Sequence, residues 1–220
     1  MARYRTAMND IYLLPNGGQS SDELLRLVER YKTTRLTALQ LDPAAFGSTY
    51  TREIQFTYET WLSRIQNPLS KTFLSIDSTN TNQTDEIPLA QSEWVGTLTV
   101  LGPKVTSEGT TLWNTFTREN STHTPDLAAV RNSNAIYMMA GVFVHPGYRR
   151  QGRAQRLVDA AVKRVREEAK FAGASRITII LQVNTENQAA VRLYETAGFL
   201  AVSNEKTDWR GMTWEEQLTF

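Results

Sequence analysis

The 220-residue sequence predicts an α/β fold, with helices interleaved among about six or seven strands. Two kinds of observation predict it. Runs rich in β-branched and aromatic residues recur along the chain, and several stretches between them carry apolar residues at three- and four-residue spacing. The length suits one domain over residues 1–220, with 40% hydrophobic residues to fill a sizeable core.

The elements follow in order. Ile11, Tyr12, Leu13 and Leu14 read as a first strand. Ser21-Asp22-Glu23 opens a helix whose Leu24, Leu27, Val28, Tyr31, Leu36 and Leu39 fall mainly on one face. Asp42-Pro43 through Gly47-Ser48 is a turn-rich break. A second helix is expected over residues 51–64, bearing Phe56, Tyr58 and Trp61 and stopping before Asn67-Pro68. Strands follow at 72–76 and 93–101. A long insertion, around 103–134, separates these from a fourth strand at 134–144; Trp113 and Phe116 predict that part of it packs.

The region after that strand is the most informative. Val142-Phe143-Val144 ends at His145-Pro146-Gly147, and Tyr148-Arg149-Arg150-Gln151-Gly152-Arg153-Ala154-Gln155 then runs straight into a helical pattern. A helix N-terminus presents backbone N–H groups without intrahelical acceptors and the positive end of a dipole. A glycine-containing loop wrapped there suits a phosphate or pyrophosphate. A P-loop would need Lys-Ser/Thr after its last glycine, and here Arg153-Ala154 follows Gly152. A dinucleotide fingerprint would need more glycines and an acidic residue some twenty positions on, where the sequence has Lys170, Phe171 and Ala172. Ala154, Leu157, Val158, Ala161, Val165 and Ala169 form the apolar stripe of the helix; Arg156, Asp159, Lys163, Arg166 and Lys170 take its other side.

A β-branched run at 176–183 then reads as a buried strand. Thr185 is expected to cap the next helix, with Gln188 completing a capping box. Ala190, Leu193, Tyr194 and Ala197 share a face of that helix, and Gly198 ends it. Closing strands are expected at 200–204 and 213–220, around Asp208-Trp209-Arg210-Gly211.

Arg149-x-x-Gly152-x-Ala154 resembles the coenzyme-binding loop of the GNAT N-acetyltransferases, and Asn187-x-x-Ala190-x-x-Leu193-Tyr194-x-x-x-Gly198-Phe199 is similar to that family's second motif. The phrase Leu36-x-x-Leu39 with Pro43-x-x-Phe46-Gly47-Ser48 looks like a subset of the family with two helices between the first strands. The resemblance is strongest over 136–200. It implies a mixed twisted sheet flanked by helices on both faces, with acetyl-coenzyme A in a cleft between the fourth and fifth strands. The backbone of Val142, Phe143 and Val144 would hold the pantetheine arm. The loop of Arg149, Arg150, Gln151, Gly152, Arg153, Ala154 and Gln155 would take the pyrophosphate through its amides, with the arginines also available to the ribose phosphate. Asn187 would hydrogen-bond the pantetheine, and Tyr194 would give a proton to the departing thiolate. The implied reaction is direct transfer of acetyl to a primary amine of a small molecule or a peptide, with no covalent enzyme intermediate. A non-catalytic acyl-coenzyme A sensor is the alternative.

Composition narrows the rest. A net charge of +1 gives no general case for nucleic acid or an anionic membrane, and the basic helix lacks interleaved aromatics. Zero cysteines exclude disulfides and a thiol nucleophile; with only His123 and His145, no metal site is expected. No signal-peptide core or membrane-length apolar run appears, so a cytoplasmic, or else nuclear, location is expected. The protein is expected to be a monomer or a homodimer. The amine acceptor must be held neutral. For a lysine-like amine of pKa about 10.4 that costs about 4–5 kcal/mol at neutral pH, and far less for an α-amine near 8. The fourth and fifth strands carry no acid, which leaves Glu53, Glu59, His123, His145 and Glu186 as candidate bases.

Overall fold

The computed structural model describes residues 10–77, 88–106, 111–117, 125–202 and 209–218. Its strands are β1 (Ile11–Leu13), β2 (Ser70–Ile76), β3 (Trp94–Lys104), β4 (Asn134–Val144), β5 (Arg176–Asn184), β6 (Leu200–Ala201) and β7 (Trp209–Gln217). Its helices are α1 (Ser21–Leu41), α2 (Tyr50–Glu53), α3 (Tyr58–Gln66), α4 (Asn114–Thr117), α5 (Leu127–Val130), α6 (Arg153–Phe171) and α7 (Gln188–Thr196). The strands form one open seven-stranded sheet in the order β1-β2-β3-β4-β5-β7-β6. It is mixed: β4 and β5 are parallel, while β1/β2, β5/β7 and β6/β7 are antiparallel. The chain divides into two compact units, Met1–Thr99 with Gly141–Ala160 and Val100–Ala140 with Ala161–Phe220.

In the first unit, Ser20 opens α1 by accepting a hydrogen bond from the Glu23 amide, and Asp22 and Glu23 suit the positive end of the helix dipole. The apolar face of α1 places Leu27, Val28, Leu36 and Leu39 against Trp61 and Ile65 of α3, Leu74 and Ile76 of β2, and Trp94 of β3. All of β2 is buried. The single helix expected over 51–64 is two helices. Thr49 caps α2, and Thr57 caps α3 by accepting from the Thr60 amide at 3.3 Å. A threonine hydroxyl that satisfies a helix-start amide competes with helix continuation, and here it restarts the helix.

In the second unit, β4 and β5 pair from Asn134 opposite Arg176 to Met138 opposite Ile180. Antiparallel pairing of β5 with β7 runs from Arg176 opposite Gln217 to Asn184 opposite Trp209. The last strand therefore takes in residues expected to lie between the closing strands: Trp209, Arg210 and Gly211 are drawn into the ladder because β5 offers backbone partners along its length. Ile136, Tyr137, Ile177, Ile179, Ile180 and Leu181 are buried, as are Ala161, Val165 and Ala169 on α6. Part of the insertion does pack. Gly211 leaves room for Trp113, whose Cζ2 would lie 3.0 Å from an added Cβ, and Lys104 sits over the Phe116 ring at 5.2 Å. At Gly102, with φ +132°, any Cβ would fall 2.7 Å from the Ile136 carbonyl oxygen. Among the described residues, no helix is long and apolar enough to cross a membrane.

Candidate functional site

The loop after β4 is built by backbone geometry. The His145 amide donates to Val95 O at 2.8 Å, and Pro146–Tyr148 forms one turn of 3-10 helix. His145 Nδ1 accepts from the Gly147 amide at 3.3 Å. The Tyr148 hydroxyl donates to Asp77 Oδ2 at 3.0 Å. Two residues then take the left-handed conformation, Arg150 at φ +63° and Gly152 at φ +72°. Helix α6 starts at Arg153, and the Arg156 amide donates to Gly152 O at 3.0 Å as its first turn closes. The amides of Arg153, Ala154 and Gln155 precede that bond and have no acceptor within the helix. A wrapped loop ending in such amides is suited to a bound anion.

The basic side chains of this loop are largely committed to the protein itself. Arg149 Nε donates to Val144 O at 2.9 Å and its guanidinium pairs with Asp42. Arg153 Nη1 donates to Asp10 Oδ2 at 3.1 Å, Ser75 Oγ at 3.0 Å and Ile76 O at 3.1 Å. Arg156 grips both Asp10 oxygens, at 2.9 and 2.7 Å, and donates to Gln151 O at 2.8 Å. The Gln151 side chain accepts from Arg153, and Gln155 donates to Asp159 at 2.8 Å. Upstream on β4, Phe143 and Val144 are buried and Val142 is half-buried. Asp10 carries no signal in the sequence beyond being an acid just ahead of the first strand. Only the fold brings it to Arg153 and Arg156.

In the second unit, Asn187 is the N-cap of α7, its Oδ1 accepting from the Ala190 amide at 3.1 Å. This corrects the expected Thr185 cap. The helix begins at Gln188, so Asn187 is the adjacent residue able to cap it, and Gln188 Nε2 instead donates to Thr185 O at 2.8 Å. Tyr194 is buried on α7 and meets the Phe199 ring edge-on at 5.8 Å. Burial raises its phenol above the ordinary value.

The candidate bases are scattered. Glu53 is buried beneath two arginines, with Arg35 at 2.8 and 3.0 Å and Arg64 at 2.9 Å. Burial pushes its carboxyl upward, but the hydrogen bonds and positive charge around it prevail and hold it at about 2. Glu59 is exposed on α3, its carboxyl lowered by hydrogen bonds from its own amide and from Thr57. Glu186 is exposed in the turn before α7. His123 lies outside the described residues.

Residues 120–199 match the family model described as the acetyltransferase (GNAT) family. No curated protein matches the sequence. Among solved structures, the chain is similar to Arabidopsis thaliana NAA60 in complex with acetyl-CoA, at 14% identity and a TM-score of 0.52 over 94% of this chain and 98% of that one. It is also similar to the same protein in complex with a bisubstrate analogue, at 15% identity and a TM-score of 0.51 over 95% and 99% of the two chains. The GNAT domain of S. lividans PAT aligns at 10% identity and a TM-score of 0.52 over 94% of this chain and 89% of that one. At these identities the structures speak for the fold. Residues 120–199 thus carry the match to the GNAT acetyltransferase family, and the sheet which that span helps to build has the GNAT fold.

Proposed function

We propose that this protein transfers the acetyl group of acetyl-coenzyme A to a primary amine by direct attack. The observation that carries the reading is the loop before α6: left-handed Arg150 and Gly152 wrap it, and the amides of Arg153, Ala154 and Gln155 stand ahead of the helical ladder. In this reading the amides of residues 150–155 take the pyrophosphate, and the backbone of Val142, Phe143 and Val144 takes the pantetheine amides, which would be costly to bury unpaired. Asn187 offers its Nδ2 amide to the same arm, since its Oδ1 is engaged as a cap.

In the transfer, the amine lone pair attacks the thioester carbonyl, the carbon–sulfur bond breaks, and the sulfur leaves as a thiolate. Tyr194 donates its proton to that sulfur, and the proton shed by the attacking nitrogen passes through solvent to restore the phenol, so that an amide and a free thiol are the products. Like any phenol it is protonated across the neutral range, and burial makes it a weaker acid than a free tyrosine. Glu53, already held ionised by two arginines, is a poor proton acceptor. An acceptor that loses its proton readily, such as an α-amine near 8, makes less demand on a base than a lysine-like amine.

Incubation with acetyl-coenzyme A and a panel of polyamines, amino sugars, amino acids and peptides tests the reading. Release of thiol together with an acetylated amine supports it. Tight binding of acetyl-coenzyme A with no thiol release across the panel favours the sensor, and failure to bind acetyl-coenzyme A overturns both.

A further inference from the structure

We infer that Asp10 is a positioning residue for the pyrophosphate loop, acting through Arg156 and Arg153 to set which way the loop amides face. The inference rests on the acetyl-coenzyme A reading above and adds to it a residue far from the loop in sequence.

The geometry runs through one peptide plane. Arg156 Nη1 donates to Gln151 O at 2.8 Å. In a trans peptide the carbonyl of one residue and the N–H of the next point in opposite directions. Holding Gln151 O on Arg156 therefore turns the Gly152 N–H away from that guanidinium, on the side opposite the arginine. Arg156 is itself held by Asp10, Nε to Oδ1 at 2.9 Å and Nη2 to Oδ2 at 2.7 Å. The same Asp10 Oδ2 accepts from Arg153 Nη1 at 3.1 Å, and Arg153 is fixed further by Ser75 Oγ and Ile76 O. Both ends of the Gln151–Arg153 segment are thus tied to one carboxylate just before β1. Gly152 belongs to the same device, because a Cβ there would lie 3.1 Å from Arg156 Nη1 and crowd the guanidinium.

This arrangement assigns the two arginines a role opposite to the one their charge suggests. Their side chains are 11% and 31% exposed, and Asp10 neutralises part of their charge. They hold the loop, and the amides meet the ligand. The two roles predict opposite signs. If the arginines acted on the anion by charge, removing the Asp10 carboxylate would strengthen binding. If Asp10 positions the loop, its removal weakens binding.

Calorimetric titration of wild type and Asp10→Asn with acetyl-coenzyme A and with its 3′-dephospho form, beside melting curves, decides between them. The expected result is a folded variant whose affinity falls about 10-fold or more for both ligands, since both carry the pyrophosphate. Unchanged or tighter binding overturns the inference, and so does a loss confined to the ligand with the 3′-phosphate. If Asp10→Asn does not fold, Arg156→Lys replaces it: charge is kept while the fork joining Asp10 to Gln151 O is lost, so equal affinity would again overturn the role. A wild type that binds neither ligand sinks the acetyl-coenzyme A reading itself, an outcome distinct from any change between wild type and variant.

Discussion

Arg35 meets Glu53 side-on, Nε to Oε2 at 3.0 Å and Nη2 to Oε1 at 2.8 Å, in a carboxylate only 1% exposed. Arg64 adds a third bond at 2.9 Å while lying over the Phe56 and Trp61 rings. One carboxylate thereby joins α1, α2 and α3. Its pKa falls from the usual 4.5 to about 2, so the folded state binds the Glu53 proton less readily than the unfolded chain. The resulting stabilisation is fully present above about pH 5 and is lost as pH falls toward 2, at most about 3 kcal/mol. Denaturant melts between pH 7 and pH 3 should show the decline. In Glu53→Gln that decline should shrink, and the variant should already be about 3–5 kcal/mol less stable at neutral pH because two guanidiniums lose their partner.

Gly152→Ala should weaken acetyl-coenzyme A binding without unfolding the chain. The site has φ +72°, where a Cβ costs about 1–2 kcal/mol, and the added methyl crowds Arg156. Gly152→Glu should abolish binding, because its carboxylate also repels a pyrophosphate. Calorimetry on folded variants measures both; wild-type affinity in Gly152→Glu would remove the loop from the site.

Tyr194→Phe should reduce turnover roughly 10- to 100-fold while leaving acetyl-coenzyme A affinity near wild type, at the low end for general acid catalysis because a thiol is already a tolerable leaving group. The raised phenol pKa adds a second expectation: no loss of wild-type turnover from Tyr194 ionisation as pH rises toward 10. Steady-state rates and melting curves read together separate this from a structural role, in which stability drops and turnover per folded molecule holds.

Gly102→Ala should destabilise the second unit by about 3 kcal/mol or more. The new Cβ would meet Ile136 O at 2.7 Å and Tyr137 Cδ1 at 2.8 Å, and backbone oxygen cannot swing aside as a side-chain tip can. Thermal melts of the variant, followed by hydrogen exchange at residues 134–138, would locate the loss.

Local chemistry was legible in the sequence by itself. The strands at 134–144 and 176–183, the stripe from Ala154 to Ala169 and the stop at Gly198 declare themselves through periodicity and φ preference, which depend on neighbours in the chain. The order of loop, helix, strand and helix over 142–199 likewise pointed to the family, because its motif residues lie close together in sequence. Tertiary structure decided what depends on residues far apart. It turned Glu53 inward to Arg35 and Arg64, and it pulled Trp209 into a strand because β5 needed partners. It also turned Arg153 and Arg156 onto Asp10, a carboxylate more than 140 positions away. A charged side chain goes to whichever opposite charge the fold brings within reach, and sequence spacing carries no record of that distance.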